Sequence, residues 1–179
     1  MSGAPEQMNT TPPDWPVAII GAGCAGLSLA RRLTLNGLTN IRLYGPLSKA
    51  TTNGHSWGFW ATKGLEEQAA LSEQRWAKWQ IITAAQKITQ SADTDPYCRL
   101  DSRTWLNQCL ETINISVPRD EKSLPEAGAG LVFDSRPPPV PEGMMLQHFL
   151  GLEVRSRHEI FDPDTAILMD FRVDQSRGM

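Results

Sequence analysis

The stretch Val17-Ala-Ile-Ile-Gly21-Ala-Gly23-Cys-Ala-Gly26-Leu-Ser-Leu-Ala30 constrains the fold of this chain more than any other. Four apolar residues, three of them β-branched, run into a G-x-G-x-x-G turn and from there into a helical pattern. Strand, glycine turn and helix in that order are what a dinucleotide-binding βαβ unit requires. Gly21 permits the tight turn out of the strand. Gly23 has no Cβ, so the backbone can lie against a pyrophosphate, and Gly26 lets the helix pack closely on the sheet. The phosphates would rest on the N–H groups and positive dipole end of that helix. A glycine-rich turn that binds nothing is the competing reading of the same residues.

The helix starts near Gly23 and carries Leu27, Ala30 and Leu33 toward the sheet, with Arg31 and Arg32 on the outer face. Asn36-Gly37 ends it as a left-handed C-cap does, and Ile41 to Tyr44 supplies the second strand. There the pattern breaks. A dinucleotide fold puts Asp or Glu at the end of strand two, about 20 residues on, to hold the ribose hydroxyls. This chain has Tyr44 and Gly45 at that point, and no acidic residue lies between Asp14 and Glu66. Either a backbone carbonyl, Ser48 or Tyr44 substitutes, or adenosine binding is weakened.

With 179 residues and a net charge of -3, the chain has about one domain's length and no basic stripe, so no nucleic-acid partner is expected. Cys24, Cys98 and Cys109 make an odd number with no CxxC and no His at metal-ligand spacing, which indicates neither a disulfide framework nor a metal site. Three free thiols suit a reducing cytosol, and a cytoplasmic location is expected. The first residues, Met1 to Pro16, have neither the apolar nor the basic region of a signal peptide. No run approaches the roughly 18 apolar residues of a membrane span. The expectation is a soluble protein, at most attached to a membrane surface.

Residues 1–14 are polar and proline-bearing and read as a disordered lead-in. After the βαβ unit, Thr51 to Trp60 is too polar and glycine-rich for a core strand. Its His55 and Trp57 are candidates to line a pocket, because loops on a rigid scaffold tend to carry sites. Leu65 to Trp79 reads as a helix, with Trp76 and Trp79 packing on one face. Ile81 to Thr89 reads as a hairpin. Tyr97 to Arg103 leads into a helix over Arg103 to Thr112, capped by Asp101 or Ser102. Ile113 to Val117 reads as a strand, Arg119 to Gly130 as a charged loop, and Leu131 to Asp134 as a short buried strand. Further on, Leu152 and Val154 alternate with Glu153 and Arg155, and Met169, Phe171 and Val173 alternate with Asp170, Arg172 and Asp174. Period-two alternation predicts half-buried strands of an antiparallel sheet, the polar positions facing solvent.

Five segments together resemble the N-terminal part of the lycopene cyclase family, flavoproteins that close the end rings of carotenoids. They are the Val17–Ala30 signature, Asn53-Gly-His-Ser-Trp57 and Leu131-Val-Phe-Asp-Ser-Arg-Pro137, then Gln147-His-Phe-Leu-Gly151-Leu-Glu-Val154 and Phe161-Asp-Pro-Asp-Thr-Ala-Ile-Leu-Met-Asp170-Phe-Arg-Val-Asp174. The first is shared with many flavoproteins, whereas the last two are distinctive. The resemblance runs from about Trp15 to Gly178.

It implies an α/β fold in which a Rossmann-type FAD/NAD(P)-binding layer, residues 15–137, is followed by the start of an antiparallel β-sheet substrate domain, residues 138–179. It implies FAD, active in its reduced form with NADPH as electron source, held by Gly21, Gly23, Gly26, Arg103, Asp134 and Arg136. His55 and Trp57 would belong to the substrate pocket, and a linear carotene, reached from a membrane surface, would be the substrate. The implied reaction is redox-neutral: an acid protonates the terminal double bond, the carbocation closes the ring, and a base removes a proton. The family's catalytic glutamate segment and a later Gly-Asp flavin motif have no counterpart before Met179. A truncated and impaired cyclase without an assigned catalytic residue is therefore expected. A flavin-dependent monooxygenase and a non-catalytic nucleotide-binding remnant are the alternatives.

Overall fold

Val17–Ile20 forms β1, the central strand of a parallel sheet, in the computed structural model, which describes residues 17–46, 54–113, 130–144 and 151–174. All four of its residues are buried, as a strand covered on both faces demands. β2 (Ile41–Tyr44) lies on one side in parallel, and β8 (Leu131–Asp134) on the other. Between β1 and β2 runs α1, Cys24–Leu35, which completes the βαβ unit. The chain divides into two compact units, the first being Met1–His55 with Ser102–Pro137 and the second Ser56–Asp101 with Pro138–Met179. One division falls between Pro137 and Pro138, and residues 56–101 group with the later segment.

In the first unit α1 buries Gly26, Leu27, Ala30 and Arg31, a stripe at helical spacing. The expected outward Arg31 is thus a correction. It follows Leu27 by four positions and so shares its inner face, where its guanidinium lies 5.3 Å from the centre of the Trp105 ring. Trp105 belongs to α3, Ser102–Thr112, whose buried side is Ser102, Trp105, Leu106 and Cys109. The Trp105 indole N–H donates to Ser28 Oγ at 2.8 Å, which ties α3 to α1. Asn36-Gly37 ends α1 as expected. The Leu38 N–H reaches Leu33 O at 3.1 Å and the Gly37 N–H reaches Thr34 O at 2.9 Å, with Gly37 at φ 87°.

β8 takes its expected place but not its expected depth. Leu131, Val132 and Phe133 are 47%, 52% and 40% exposed. An apolar run announces membership of a sheet. Depth depends on what covers the strand, and α1 packs on β1 and β2.

The second unit holds two further sheets. In one, β7 (Tyr97–Asp101) is flanked in antiparallel by β3 (Ser56–Trp60) and β4 (Gln74–Trp76). In the other, β5 (Lys78–Ile82) pairs antiparallel with β6 (Lys87–Ser91) and parallel with β9 (Thr165–Asp170). The fold is mixed α/β with parallel and antiparallel sheets.

Three expectations fail here. The helix over Leu65 to Trp79 is only α2, Glu66–Ala70, after which the chain enters β4 and β5 on either side of a bend at Ala77. Trp76 stacks on Tyr97 (centroids 6.3 Å apart) and Trp79 meets Trp60 edge-on, so ladder pairing and ring contacts override a spacing that also fits one helix face. Ser56–Trp60, read as part of a loop, is an edge strand with Trp57 and Phe59 turned to its half-buried side. Residues 152–154 form no strand, and β9 is parallel to its neighbour rather than antiparallel. Met169 and Val173 are more than half exposed, while Ala166 and Leu168 take the half-buried positions. The register shift opposite Gln80 and Ile81 moves the inward side away from the simple alternation.

The lead-in over residues 1–14, Ser48, the Arg119–Gly130 loop up to residue 129 and the Ile113–Val117 strand beyond Ile113 lie outside the described residues. Among the described residues no helix is long and apolar enough to cross a membrane.

Candidate functional site

At the carboxyl end of β1 the chain turns sharply through Gly21, which sits at φ +101°, a conformation that suits glycine. A Cβ built on Gly26 would strike the carbonyl oxygen of Gly21, so the third glycine is required by the turn's own packing. Gly23 differs from both. It is extended, it is exposed, and a Cβ built on it would meet nothing within 4 Å. The first glycine shapes the turn, the third closes it against the helix, and the middle one faces open space.

That open space lies at the start of a 12-residue helix. Its N-cap, Gly23, provides no side-chain hydrogen bond, and its first turn holds no acidic residue. The first intrahelical bond there is from the Leu27 N–H to Gly23 O at 3.0 Å. The N–H groups before Leu27 and the positive end of the helix are what an anion needs. A dinucleotide pyrophosphate fits this cradle.

Asp134 stands in register with Ile20, so the segment after β8 emerges at the same end of the sheet as the glycine turn. Because α1 leads from β1 to β2 while β8 lies on β1's other side, β1 and β8 bound the crevice where open parallel sheets take their ligands. Arg136 grips Asp134 there. Its Nη2 lies 2.6 Å from Oδ2 and its Nε 2.9 Å from Oδ1, and its backbone N–H donates to Oδ1 at 3.0 Å. The side-chain hydrogen bonds of Arg136, then its backbone one, hold Asp134 down at about 2. Both side chains are partly exposed. Between them, Ser135 donates its hydroxyl to Ile20 O at 2.9 Å and lies 3.2 Å from Gly21 O. Ser135 carries no motif of its own in the sequence, although it sits between Asp134 and Arg136.

Arg103 comes from a different element of the first unit. It lies in the first turn of α3 with its guanidinium against Gly54. His55 is fixed by its backbone: its N–H donates to Ser102 Oγ at 2.8 Å, and its carbonyl accepts the Ser102 N–H at 2.9 Å. Its residue is exposed. Trp57 belongs to the second unit, half-buried on β3 opposite Leu100. At the end of β2, Tyr44 is 2% exposed and its carbonyl accepts the Gly21 N–H at 2.8 Å. Tyr44 therefore packs in the core, and among the described residues no carboxylate follows β2 where a ribose would want one.

The lycopene cyclase protein family model matches residues 16–116 and 117–179. The chain belongs to the lycopene cyclase family. No curated protein matches it. Among solved structures it is similar to a tetrameric 2-methyl-3-hydroxypyridine-5-carboxylic acid oxygenase, with 16% identity and a TM-score of 0.45 over 60% of this chain and 31% of that one. It is similar also to a salicylate hydroxylase in a substrate complex, with 18% identity and a TM-score of 0.39 over 59% of this chain and 28% of that one. The chain thus spans about a third of the length of these structures.

Two further features of this lycopene cyclase family chain bear on chemistry. Asp170, at the end of β9, is gripped by Arg172 just as Asp134 is by Arg136, with Nη2 to Oδ2 at 2.6 Å. The Arg172 side chain, then its backbone N–H, holds Asp170 at about 2. The second unit also contains a half-open cleft of about 640 Å³ walled by Trp76, Tyr97, Ile160, Phe161 and Ile167. Gln74, Gln80 and Lys87 also line it; of its other polar groups, the Trp76 indole N–H donates to Pro163 O at 3.0 Å, and Asp162 accepts from Thr165 Oγ1 at 2.7 Å.

Proposed function

We propose that this chain is the nucleotide-holding part of a flavin-dependent carotene cyclase, with FAD bound at the carboxyl end of β1. The observation that carries the reading is Gly23, open to space at an uncompensated helix N-terminus between a glycine that shapes the turn and one that closes it. The pyrophosphate would lie over Gly21, Gly23 and Gly26, with Asp134 and Arg136 along the neighbouring wall. Arg103, whose guanidinium rests on Gly54, is proposed for the same set. His55 and Trp57 are proposed as substrate-pocket residues on the strength of the Asn53-Gly-His-Ser-Trp57 match.

Ring closure of a carotene end requires an acid that protonates an alkene carbon and a site that tolerates the resulting cation. Reduced flavin, when bound, supplies negative charge to stabilise that cation, with NADPH as the source of electrons. The chain's own residues contribute the cradle and its dipole, which fix the anionic end of the cofactor. The cleft walled by Trp76, Tyr97, Ile160, Phe161 and Ile167 offers apolar wall area to a hydrocarbon, with the Trp76 indole N–H and Asp162 already hydrogen-bonded within the chain. A carotene dissolved in lipid would be collected at a membrane surface.

A second reading, nucleotide binding without cyclisation, is favoured by one observation. Asp134 and Asp170, both paired with arginine, are anions and have no proton to give near neutral pH. Titration of the purified chain with FAD and ADP tests the nucleotide site, and pigments from a lycopene-accumulating cell that expresses it test cyclisation. Failure to bind either nucleotide would overturn the central proposal. Binding without any cyclic pigment would select the second reading.

A further inference from the structure

The hydroxyl of Ser135 carries one proton and places it against two carbonyls, Ile20 O at 2.9 Å and Gly21 O at 3.2 Å. Its backbone N–H also donates to Ile20 O, at 2.8 Å, which continues the β1–β8 ladder one step beyond the strands. From the other side, the Gly21 carbonyl is crowded by Gly26, where a Cβ would collide with it. This carbonyl is therefore enclosed between the Ser135 hydroxyl and the Cα of Gly26.

In a trans peptide the C=O and the following N–H point in opposite directions. Holding the Gly21 carbonyl toward Ser135 and Gly26 turns the Ala22 N–H away from both. Glycine at φ +101° gives the backbone little resistance to rotation, since either hand is accessible to it. Something outside the turn must choose the orientation, and Ser135 is placed to do so.

We propose that Ser135 is a positioning residue that presets the Gly21–Ala22 peptide, so that the Ala22 amide is available to the anion bound at the turn. The inference rests on the nucleotide reading above and adds a specific determinant of affinity from a separate strand. Ser135 itself touches no phosphate in this scheme; it acts through the peptide it holds.

The test compares ADP affinity, by calorimetry on the full chain, with thermal stability for Ser135→Ala, Ser135→Thr and Thr34→Ala. Thr34→Ala removes a side-chain-to-backbone bond of similar length, Thr34 Oγ1 to Ala30 O at 2.9 Å, near the other end of α1. Ser135→Ala should weaken ADP binding about tenfold, the scale of one lost hydrogen bond. Ser135→Thr should restore most of it, and Thr34→Ala should lower stability without moving the dissociation constant. Should Ser135→Ala fail to fold, Ser135→Cys, which keeps the branching and weakens the donor at slightly larger size, replaces it with the same expected loss. Parent-like affinity in the Ala or Cys variant, or a Thr variant as weak as Ala, would overturn the role of Ser135 and leave the nucleotide reading intact. A parent chain that binds no ADP would overturn both.

Discussion

Ile20 stands opposite Asp134 across the β1–β8 ladder, so the residue that feeds the glycine turn and the residue that opens the Asp-Ser-Arg segment reach the crevice side by side. This juxtaposition makes one wall of the candidate cofactor site from parts of the chain that are remote in sequence. Within the turn itself, Gly21 and Gly26 shape the backbone and Gly23 faces open space.

Gly23→Val should abolish FAD binding while leaving the fold in place. The backbone there is extended, at φ -91° and ψ -163°, which suits a β-branched residue, and the added side chain meets nothing in the chain. Gly26→Ala should instead lower stability, because its methyl group runs into the Gly21 carbonyl, and should weaken flavin binding along with it. Its expected cost is about 1–3 kcal/mol, the usual range for overpacking. Urea unfolding and flavin titration on both variants check the pair, and equal affinity in Gly23→Val and the parent would remove the case for the turn.

Asp134 should titrate near 2 and return toward the ordinary carboxylate range in Arg136→Gln. Its folded value is depressed, so any stability it lends is present above the unfolded value near 4 and is lost as the pH falls toward 2. The side chain is exposed, and the effect on unfolding should be small. Carbon-detected NMR on the carboxyl group follows the titration directly. A midpoint near 4 in the parent would show that the pair does not persist in solution.

Should cyclic carotene form in cells expressing this chain, its yield should be the same with Asp170→Asn. An acid catalyst must hold its proton near neutral pH, and the Arg172 side chain keeps Asp170 ionised. Pigment chromatography reads the outcome, and loss of the cyclic product would identify Asp170 as the acid despite its partner.

Trp105→Ala should destabilise the first unit by about 3–5 kcal/mol, the range for large aromatic truncations in a core. Trp105 is 3% exposed, carries the hydrogen bond to Ser28 and provides the face on which Arg31 rests. Trp105→Phe keeps most of the buried ring and should cost only about 1 kcal/mol, the scale of one hydrogen bond. Denaturant melts on the two variants supply the comparison.

Legibility in the sequence followed the range of the interaction. The βαβ unit was readable because strand, glycine turn and helix cap are local, down to the Gly37 C-cap. Arg31 was misplaced because its charge was weighed above its spacing from Leu27, and the aromatic face of Trp105 that receives it comes from a distant helix. Trp76 and Trp79 suggested one helix because nothing local announces the bend at Ala77 or the ring of Tyr97 across the ladder. At the candidate site, Gly21, Gly23 and Gly26 were found by spacing, and Asp134 and Arg136 by their position after a strand. Ser135 was missed because its importance lies in two carbonyl groups, which leave no mark on residue identity.

The bond from Ser135 to Ile20 spans 115 positions, and a complete compact-unit segment, Ser56–Asp101, is inserted between its two ends. During synthesis the glycine turn and its helix leave the ribosome long before the wall that completes them. Closing so long an intervening stretch is entropically costly and slow compared with forming the local βαβ contacts. The phosphate cradle should therefore mature late in folding, after β1, α1 and β2 have already met. Until Ser135 has been translated and docked, the Gly21 carbonyl lacks its hydroxyl partner, and nucleotide affinity should rise as a delayed step behind the appearance of secondary structure.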